Sequence, residues 1–300
     1  MMIRFKYWVL LILLISVSCF SQGVINKYPV FFDQYFSCLS LVNPSVSGLE
    51  YNYEFSAGHQ RLLGNFSKLS TNYFIFNKRF KTYNITAYPF SSFGIFLYND
   101  REGQYLNRGR FYLQYAWHSR IFEKYFISGG LKVGGVNYLV KGTPLSGNGS
   151  SYNADGGAGV SFYNKSFYLG ICFDQMFNSE LQPIDEITIL SPFVLINTYK
   201  VFNINKSYSL TPYFLTRLTT DRMEKHDIYS LNIKFEIIDK IYFTGGVRSG
   251  SGMIFMLGTK NLNLADGVID FGISYLIPTT RSVLNINTLE FNLGYKLKKL

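Results

Sequence analysis

The chain contains three histidines, the residue type that most often moves protons near neutral pH: His59, His118 and His226. None of them lies in an HExxH metal motif, and no GxSxG nucleophile elbow occurs. His226 lies beside Asp227, but charged neighbours where a strand begins are ordinarily solvated. The pattern therefore does not predict an enzyme, and we expect His118 to be a hydrogen-bonding group on the polar face of a strand.

Metal and cofactor motifs are not indicated either. Cys38 and Cys172 are far apart and neither lies in a CxxC spacing, so the sequence predicts no zinc site. Asn99, Asp100 and Glu102 lack the spacing of a calcium loop and are predicted to form a turn. The glycine-rich residues 147–159 lack the Lys–Ser/Thr pair of a phosphate-binding loop and are expected to be an outer loop that enters a strand. The prediction is no catalytic residue, no metal and no cofactor.

The first residues predict export. Arg4 and Lys6 precede an apolar run at residues 7–17, and small residues follow, with cleavage expected after Ser21. That run is shorter than the roughly 20 residues that span a bilayer. A buried N-terminal helix is one alternative. Lipidation of Cys19 is another, although Ser16 stands where a lipobox has Leu. We predict a signal peptide over residues 1–21.

Charge and composition narrow the class of protein. The whole chain has a formal net charge of +10, and about +8 remains once Arg4 and Lys6 are removed. Because these charges are dispersed and the chain is exported, nucleic acid is not the expected partner. The chain carries 24 Tyr and 28 Phe, an excess that suits membrane–water interfaces. A large soluble β-sandwich is also rich in these residues, so composition leaves both classes open.

Apolar and polar residues alternate with a period of two, and this pattern predicts the secondary structure. Near the C-terminus, Leu289, Phe291 and Leu293 alternate with Glu290 and Asn292. Alternation of this kind is typical of a strand with one apolar and one polar face. The same rhythm recurs along the chain and predicts strands at 51–62, 69–80, 92–99, 108–120, 125–139, 156–164, 166–176, 192–203, 207–218, 227–238, 240–248, 251–260, 267–277 and 286–298.

An even number of strands near ten residues long fits a bacterial outer-membrane barrel, because only closure leaves no strand edge exposed to lipid. Predicted short connections at 123–124, 164–165, 205–206 and 239 alternate with long ones at 98–107, 141–155, 177–191 and 219–226. The sequence therefore predicts an all-β, transmembrane, antiparallel up-and-down β-barrel of about 14 strands over residues 49–300, in the outer membrane of a Gram-negative bacterium. Outer-membrane lipids are its expected surroundings.

Residues 22–48 precede the first strand and form a predicted N-terminal periplasmic arm or plug. Its apolar side chains recur at helical spacing until Pro44 and Gly48 interrupt them. The segment could plug the barrel, fold under its periplasmic mouth, or simply pack as a terminal arm. The apolar stripe is Phe32, Tyr35, Phe36 and Leu39.

Several short motifs resemble the PorP/SprF family, the outer-membrane barrels of type IX secretion and gliding motility in Bacteroidetes. Ser45 stands where the family motif has Ala, and the chain ends in Leu300 rather than an aromatic residue, so it resembles a divergent member. The motifs, which run in family order, are Phe32-Asp33-Gln34-Tyr35, Val42-Asn43-Pro44-Ser45-Val46-Ser47-Gly48, Phe93 to Gly103, Tyr115-Ala116-Trp117-His118, Tyr152-Asn153-Ala154-Asp155, Tyr168-Leu169-Gly170-Ile171 and Leu289-Glu290-Phe291-Asn292-Leu293.

The resemblance implies a function by binding. It implies an outer-membrane component that assists secretion or surface anchoring of a cargo protein such as an adhesin, and that also contacts periplasmic secretion or motility lipoproteins. The alternatives are a pore or channel for small solutes or lipids, and an outer-membrane enzyme. The motif positions that the resemblance marks for structure or partner contact are Tyr35, Asn43, Pro44, Gly48, Asp100, Gly103, His118, Asp155 and Glu290.

Overall fold

The computed structural model describes residues 28–64, 67–80, 88–142, 147–184, 187–220, 227–279 and 286–297, so the predicted signal peptide, His226 and the last three residues lie outside it. Fourteen strands of these ranges form the wall of a barrel. They are β1 (Tyr53–Leu62), β2 (Ser70–Arg79), β3 (Phe90–Glu102), β4 (Leu106–Phe122), β5 (Tyr125–Val140), β6 (Gly149–Tyr163), β7 (Phe167–Asp174), β10 (Phe193–Lys200), β12 (Tyr208–Thr219), β13 (Ile228–Ile237), β14 (Ile241–Arg248), β15 (Gly252–Leu264), β16 (Gly267–Pro278) and β17 (Thr288–Leu297). Three two-residue strands, β8 (Glu180–Leu181), β9 (Thr188–Ile189) and β11 (Phe202–Asn203), lie in connections.

The wall strands pair antiparallel with their neighbours, and the ring closes. β1 pairs with β17, beginning with Tyr53 opposite Leu297. β10 pairs with β12, so the ring closes past the two-residue β11, which pairs only with β12, and β8 and β9 pair with each other in a separate sheet. Closure gives the backbone groups of every wall strand a partner strand on both sides, as a barrel in lipid requires. The prediction of an antiparallel barrel of about 14 strands is confirmed.

Three local predictions were wrong. β3 continues to Glu102 and β4 begins at Leu106, so the connection is residues 103–105 rather than the predicted long loop at 98–107. Asn99, Asp100 and Glu102 are therefore in a strand and not in a turn. β6 begins at Gly149, inside the glycine-rich stretch that was expected to be a loop. In each case the ladder to a neighbouring strand continues, as in the pairing of Asp100 with Arg108, and outweighs the turn propensity of Asn, Asp and Gly.

The two faces of the wall differ sharply. The outward face presents exposed apolar side chains in the middle of the strands, such as Phe111, Leu131, Leu257 and Leu293. The inward face is polar, and residues such as Glu290 and Asn292 are buried there. An apolar exterior over a polar lumen is the arrangement of a transmembrane barrel and the reverse of a soluble sandwich. Within the described residues, no helix is both long and apolar enough to cross a bilayer.

Connection lengths distinguish the two ends of the barrel. At one end, connections of two or three residues follow β4, β6, β13 and β15, and both the start of β1 and the end of β17 lie there. At the other end, the connections after β3 and β14 are also three residues long, but β7 and β10 are joined there by the much longer residues 175–192. Outer-membrane barrels have short periplasmic turns and longer outer loops, so the first end is the periplasmic end.

Residues 28–50, which we call the luminal segment, lie inside the barrel. They contain three short 3₁₀ turns, at Tyr35–Ser37, Leu39–Leu41 and Pro44–Val46. Tyr28 packs on Phe193 at the outer end, and the backbone carbonyl of Ser47 contacts His118 towards the periplasmic end. The core of this protein is therefore formed between the luminal segment and the inward face of the wall.

Replacing Leu257 by Arg tests which face meets lipid. Leu257 lies mid-strand on the outward face and is 52% exposed. A cation at the midplane of the bilayer should lower the free energy of unfolding by roughly 2–4 kcal/mol, whereas Leu257→Met should change it little. Urea unfolding of the protein in lipid vesicles measures both. Equal unfolding midpoints for Leu257→Arg and the wild type would contradict the assignment of this face.

Candidate functional site

The luminal segment is held first by one carboxylate of the wall. Both oxygens of Glu290, in β17, accept backbone hydrogen bonds, from Asp33 N at 2.6 Å and from Gln34 N at 3.0 Å. The side-chain amide of Gln60, in β1, donates to the same carboxylate at 3.2 Å. Glu290 is fully buried, so each N–H donor that it binds would otherwise be a buried polar group without a partner. It thus fixes where the segment begins to cross the lumen.

Arg248, near the outer end of β14, completes this anchor. Its guanidinium forms an ion pair with Asp33 at 2.8 Å and donates to the carbonyls of Phe31 and Phe32 at 3.3 and 3.2 Å. Ser274 donates to the other oxygen of Asp33 at 3.3 Å. The fork of a guanidinium suits this task, because one side chain can satisfy a carboxylate and two carbonyls.

The second anchor is the Asn43–Pro44 turn. The side-chain oxygen of Asn43 caps the 3₁₀ turn by accepting from Ser45 N at 3.0 Å, and Pro44 is its first residue. The side-chain nitrogen of Asn43 donates to Ser161 Oγ at 3.2 Å and to Tyr168 Oη at 3.3 Å, on β6 and β7. One amide therefore organises the turn and attaches it to the wall.

The wall has a recess where this turn packs. A Cβ atom at Gly130 would lie 2.4 Å from Ser45 N, and a Cβ at Gly159 would lie 2.1 Å from Asn43 Oδ1. Gly130 and Gly159 are directly opposed in the β5–β6 ladder. The close approach of the segment's backbone requires glycine at both positions.

His118 holds the last part of the segment. Its Nε2 lies 2.9 Å from the carbonyl oxygen of Ser47 and its Nδ1 lies 3.0 Å from Tyr163 Oη, so the Nε2–H donates to the carbonyl and Nδ1 accepts from the phenol. The ring stacks on Phe90 at 4.3 Å between centroids. Gly48 follows with a φ of 65°, which glycine adopts without strain. Both ring nitrogens are engaged in holding structure, as expected for a hydrogen-bonding histidine.

Aromatic and apolar side chains fill the space between these anchors. Phe36 stacks on Tyr213 at 4.8 Å, and Phe32 packs edge-on against Tyr73 at 4.5 Å. Cys38 is buried and free, as is Cys172, so the two thiols are not bonded to each other. Cys38 belongs to no wall strand, and burial raises the pKa of its thiol to about 12.

A polar network lies towards the outer end of β3 to β7. Asp155 accepts from Tyr112 Oη at 2.5 Å and lies 3.7 Å from Arg110. Lys132 of β5 pairs with Asp174 of β7 at 2.6 Å. These buried ion pairs face the lumen, and each one joins two strands that flank a third, β4 to β6 and β5 to β7.

A vestibule at the periplasmic end of the lumen has a cavity volume of about 260 Å³, and a smaller cavity of about 40 Å³ lies between the luminal segment and inward side chains such as Tyr98 and Tyr112. The luminal segment forms the ceiling of the vestibule, and the periplasmic ends of the strands form its walls. Charges of both signs line it and are paired, for example Lys296 with Asp270 at 2.6 Å and Lys260 with Glu236 at 2.6 Å. Within the ranges that the structure describes, no three His, Cys, Asp or Glu side chains are grouped so that they could hold a metal ion.

The structure brings most of the predicted motif positions to one place. Six of them belong to the luminal segment or contact it: Tyr35, Asn43, Pro44, Gly48, His118 and Glu290. Asp155 lies in the polar network, Asp100 accepts from Thr71 at 2.9 Å, and Gly103 lies in the hairpin after β3. The motif analysis missed Arg248 and Ser161. Both are polar residues on the inward face of an alternating strand, a pattern that could have marked them as contacts of the luminal segment.

The closed wall, the apolar exterior and the lumen occupied by the luminal segment together define an outer-membrane β-barrel protein with an internal segment. The model of the type IX secretion system membrane protein family PorP/SprF matches residues 24–295, and the chain belongs to this family. The resemblance drawn from the motifs is thereby confirmed. No curated protein matches the chain.

Solved structures show the same fold at low sequence identity. The CymD monoaromatic hydrocarbon channel is 9% identical with a TM-score of 0.56, over 92% of this chain and 95% of that one. The toluene transporter TbuX of Ralstonia pickettii is 11% identical with a TM-score of 0.54, over 87% and 93%. A Pseudomonas aeruginosa FadL homologue is 9% identical with a TM-score of 0.50, over 85% and 92%. At such identity the likeness establishes the barrel architecture only.

Replacing Glu290 by Ala should release the luminal segment. The change leaves two buried N–H donors without their acceptor, at roughly 1–3 kcal/mol each. In a Cys172→Ser background, modification of Cys38 by a maleimide at pH 7.5 should then become at least about tenfold faster, because an opened thiol regains access and an ordinary pKa. Glu102→Ala, which removes a partner of Arg108 far from the segment, is the matched control. Unchanged labelling in Glu290→Ala would show that this anchor is dispensable.

Proposed function

We propose that this protein is a binding component of type IX secretion that assists a secreted surface protein, such as an adhesin, in leaving the cell or remaining on its surface. The family places it in the secretion system of the outer membrane. The observation that carries the finer proposal is the luminal segment, which occupies the barrel from the level of Asp33 to that of Ser47. A lumen filled by the chain's own segment favours action through surfaces over a permanently open passage.

The outer mouth is also covered. Leu181 and Leu190, in the connection between β7 and β10, are fully buried against Val136 and Tyr138 of β5. This connection therefore folds inward over part of the mouth. Together with Tyr28 and Phe193 it forms the outer boundary of the core. A diffusion pore, the alternative function, needs the opposite arrangement.

The same connection offers a binding surface. Phe177 is 53% exposed, and its ring covers Gly156 on the outward face of β6, opposite Val133, where lipid is the expected neighbour. Ile187 is 54% exposed in the same connection. An exposed apolar side chain on an irregular connection is a candidate contact for a protein partner. We infer that the cargo contacts this connection, and that periplasmic lipoproteins contact the charged vestibule at the other end.

Capture of the cargo tests the proposal. The tagged barrel, purified from its own host after mild cross-linking, should retain a secreted surface protein. The variant Ile187→Asp should retain at least about tenfold less, because a charge at an apolar contact is desolvated on binding. Ile204→Asp, an exposed apolar position at the periplasmic turn, is the control. Retention that does not depend on Ile187 would refute this binding surface.

Conductance tests the alternative. Wild-type protein reconstituted in planar bilayers should show no steady ion current, because the luminal segment blocks the barrel. Glu290→Ala, which loosens the segment, should show intermittent openings. A steady current through the wild-type protein would favour the channel function over the proposed one.

A further inference from the structure

A row of amide side chains crosses the outward face of β1 to β5 near the outer end. In the ladders, Asn72 of β2 pairs with Asn99 of β3, and Asn99 pairs with Gly109 of β4. Gly109 pairs in turn with Asn137 of β5. On the other side, His59 of β1 pairs with Asn72, and the two side chains are 2.7 Å apart. We call these five positions the amide row.

The amide row separates two different layers of the outward face. One step nearer the periplasm, the ladder positions are Phe74, Leu97 and Phe111, which are 39%, 42% and 45% exposed. One step farther out, Ser70 pairs with Arg101, and Arg61 pairs with Ser70. Both arginines are exposed. The order from the lipid core outward is therefore apolar, amide, cationic.

The surface is concave at this row. Gly109 carries no side chain and its surroundings are open, so the row dips between β3 and β5. Tyr152 of β6, paired with Asn137, is 72% exposed and bounds the depression on one side. The depression has a volume of about 340 Å³, and its walls include Asn72, Asn99, Asn137, Phe74, Phe111 and Tyr152.

The opposite face of the barrel lacks this order. At the outer ends of β13 to β16, the outward positions Tyr229, Val247, Met253 and Ile277 are apolar or aromatic and exposed. Contact with water alone would not require amide and aromatic side chains to be grouped around one depression on one face of the barrel. The composition of the hollow points to a ligand that is polar at one end and apolar at the other.

We propose that the amide row binds the phosphorylated saccharide headgroup of an outer-leaflet lipid. Amide groups donate to and accept from sugar hydroxyls, and exposed aromatic rings pack on the C–H faces of sugars. Arg61 and Arg101 lie where the phosphate would be, and the apolar layer of Phe74 and Phe111 lies where the acyl chains would be. This assignment does not rest on the proposed cargo binding.

Titration of a phosphorylated diglucosamine lipid into the full-length protein in detergent tests the site. Native mass spectrometry should show the lipid retained by the wild type, and phosphatidylglycerol, which has a phosphate but no saccharide, should not compete. The double variant Asn99→Leu and Asn137→Leu should bind about tenfold more weakly, since two hydrogen-bonding groups are lost. Arg101→Ala should weaken binding of the phosphorylated lipid but not of its dephosphorylated form.

Asn263→Leu is the control, because Asn263 is an exposed amide near the periplasmic end of β15. Equal retention of the two lipids by the wild type would overturn the proposal. So would unchanged affinity in Arg101→Ala, a single exposed position that can be scored even if the double variant does not fold. Loss of cargo capture with unchanged lipid binding in these variants would assign the hollow to a protein instead. The cargo experiment depends on Ile187, so the two proposals fail separately.

Discussion

The structure depends on satisfying an irregular backbone inside a barrel. A chain that crosses a lumen without helix or sheet pairing exposes N–H and C=O groups at every residue, and each one left unpaired costs free energy. Here the inward side chains of the wall supply the partners. Glu290 accepts two successive amides, Arg248 donates to two successive carbonyls, and His118 binds a third carbonyl at the far end. The inward polar side chains of the barrel thus supply the hydrogen-bond partners that water would otherwise provide to the backbone of the luminal segment.

This arrangement restricts which residue types can occupy the polar face and the apolar face of each strand. Outward positions must be apolar because they contact acyl chains. Inward positions must carry the particular donors and acceptors that match the backbone of the luminal segment. Asn43 is an example: its two amide ends bond its own turn and two wall strands. The glycines opposite it give that turn room. The proposal of surface binding rests on this occupancy, since a barrel whose interior is filled by its own chain has its loops and mouths left for partners.

The two proposals concern different surfaces with different surroundings. The connection between β7 and β10 exposes Ile187, an apolar side chain in an irregular segment. The amide row lies on the outward face, where the lipid core gives way to headgroups. The order of apolar, amide and cationic layers on β1 to β4 is set by register, because adjacent strands place Asn72, Asn99 and Gly109 side by side. A shift by one residue in any of these pairings would turn its member of the row inward.

Period-two alternation, with the even strand count and the connection lengths, determined the approximate strand positions and the antiparallel barrel class, because the bilayer forces every strand to repeat the same choice of faces. The motif residues were also found from sequence, and the inward direction of Glu290 follows from its strand. The path of residues 28–50, the extension of β3 and β6 into turn-like sequence, and the pairing of Asp33 with Arg248 were decided only by the tertiary structure. These features rest on contacts between residues more than 200 positions apart or on ladders with neighbouring strands. A local pattern shows which face a residue takes, and the closed ring decides which residues meet across it.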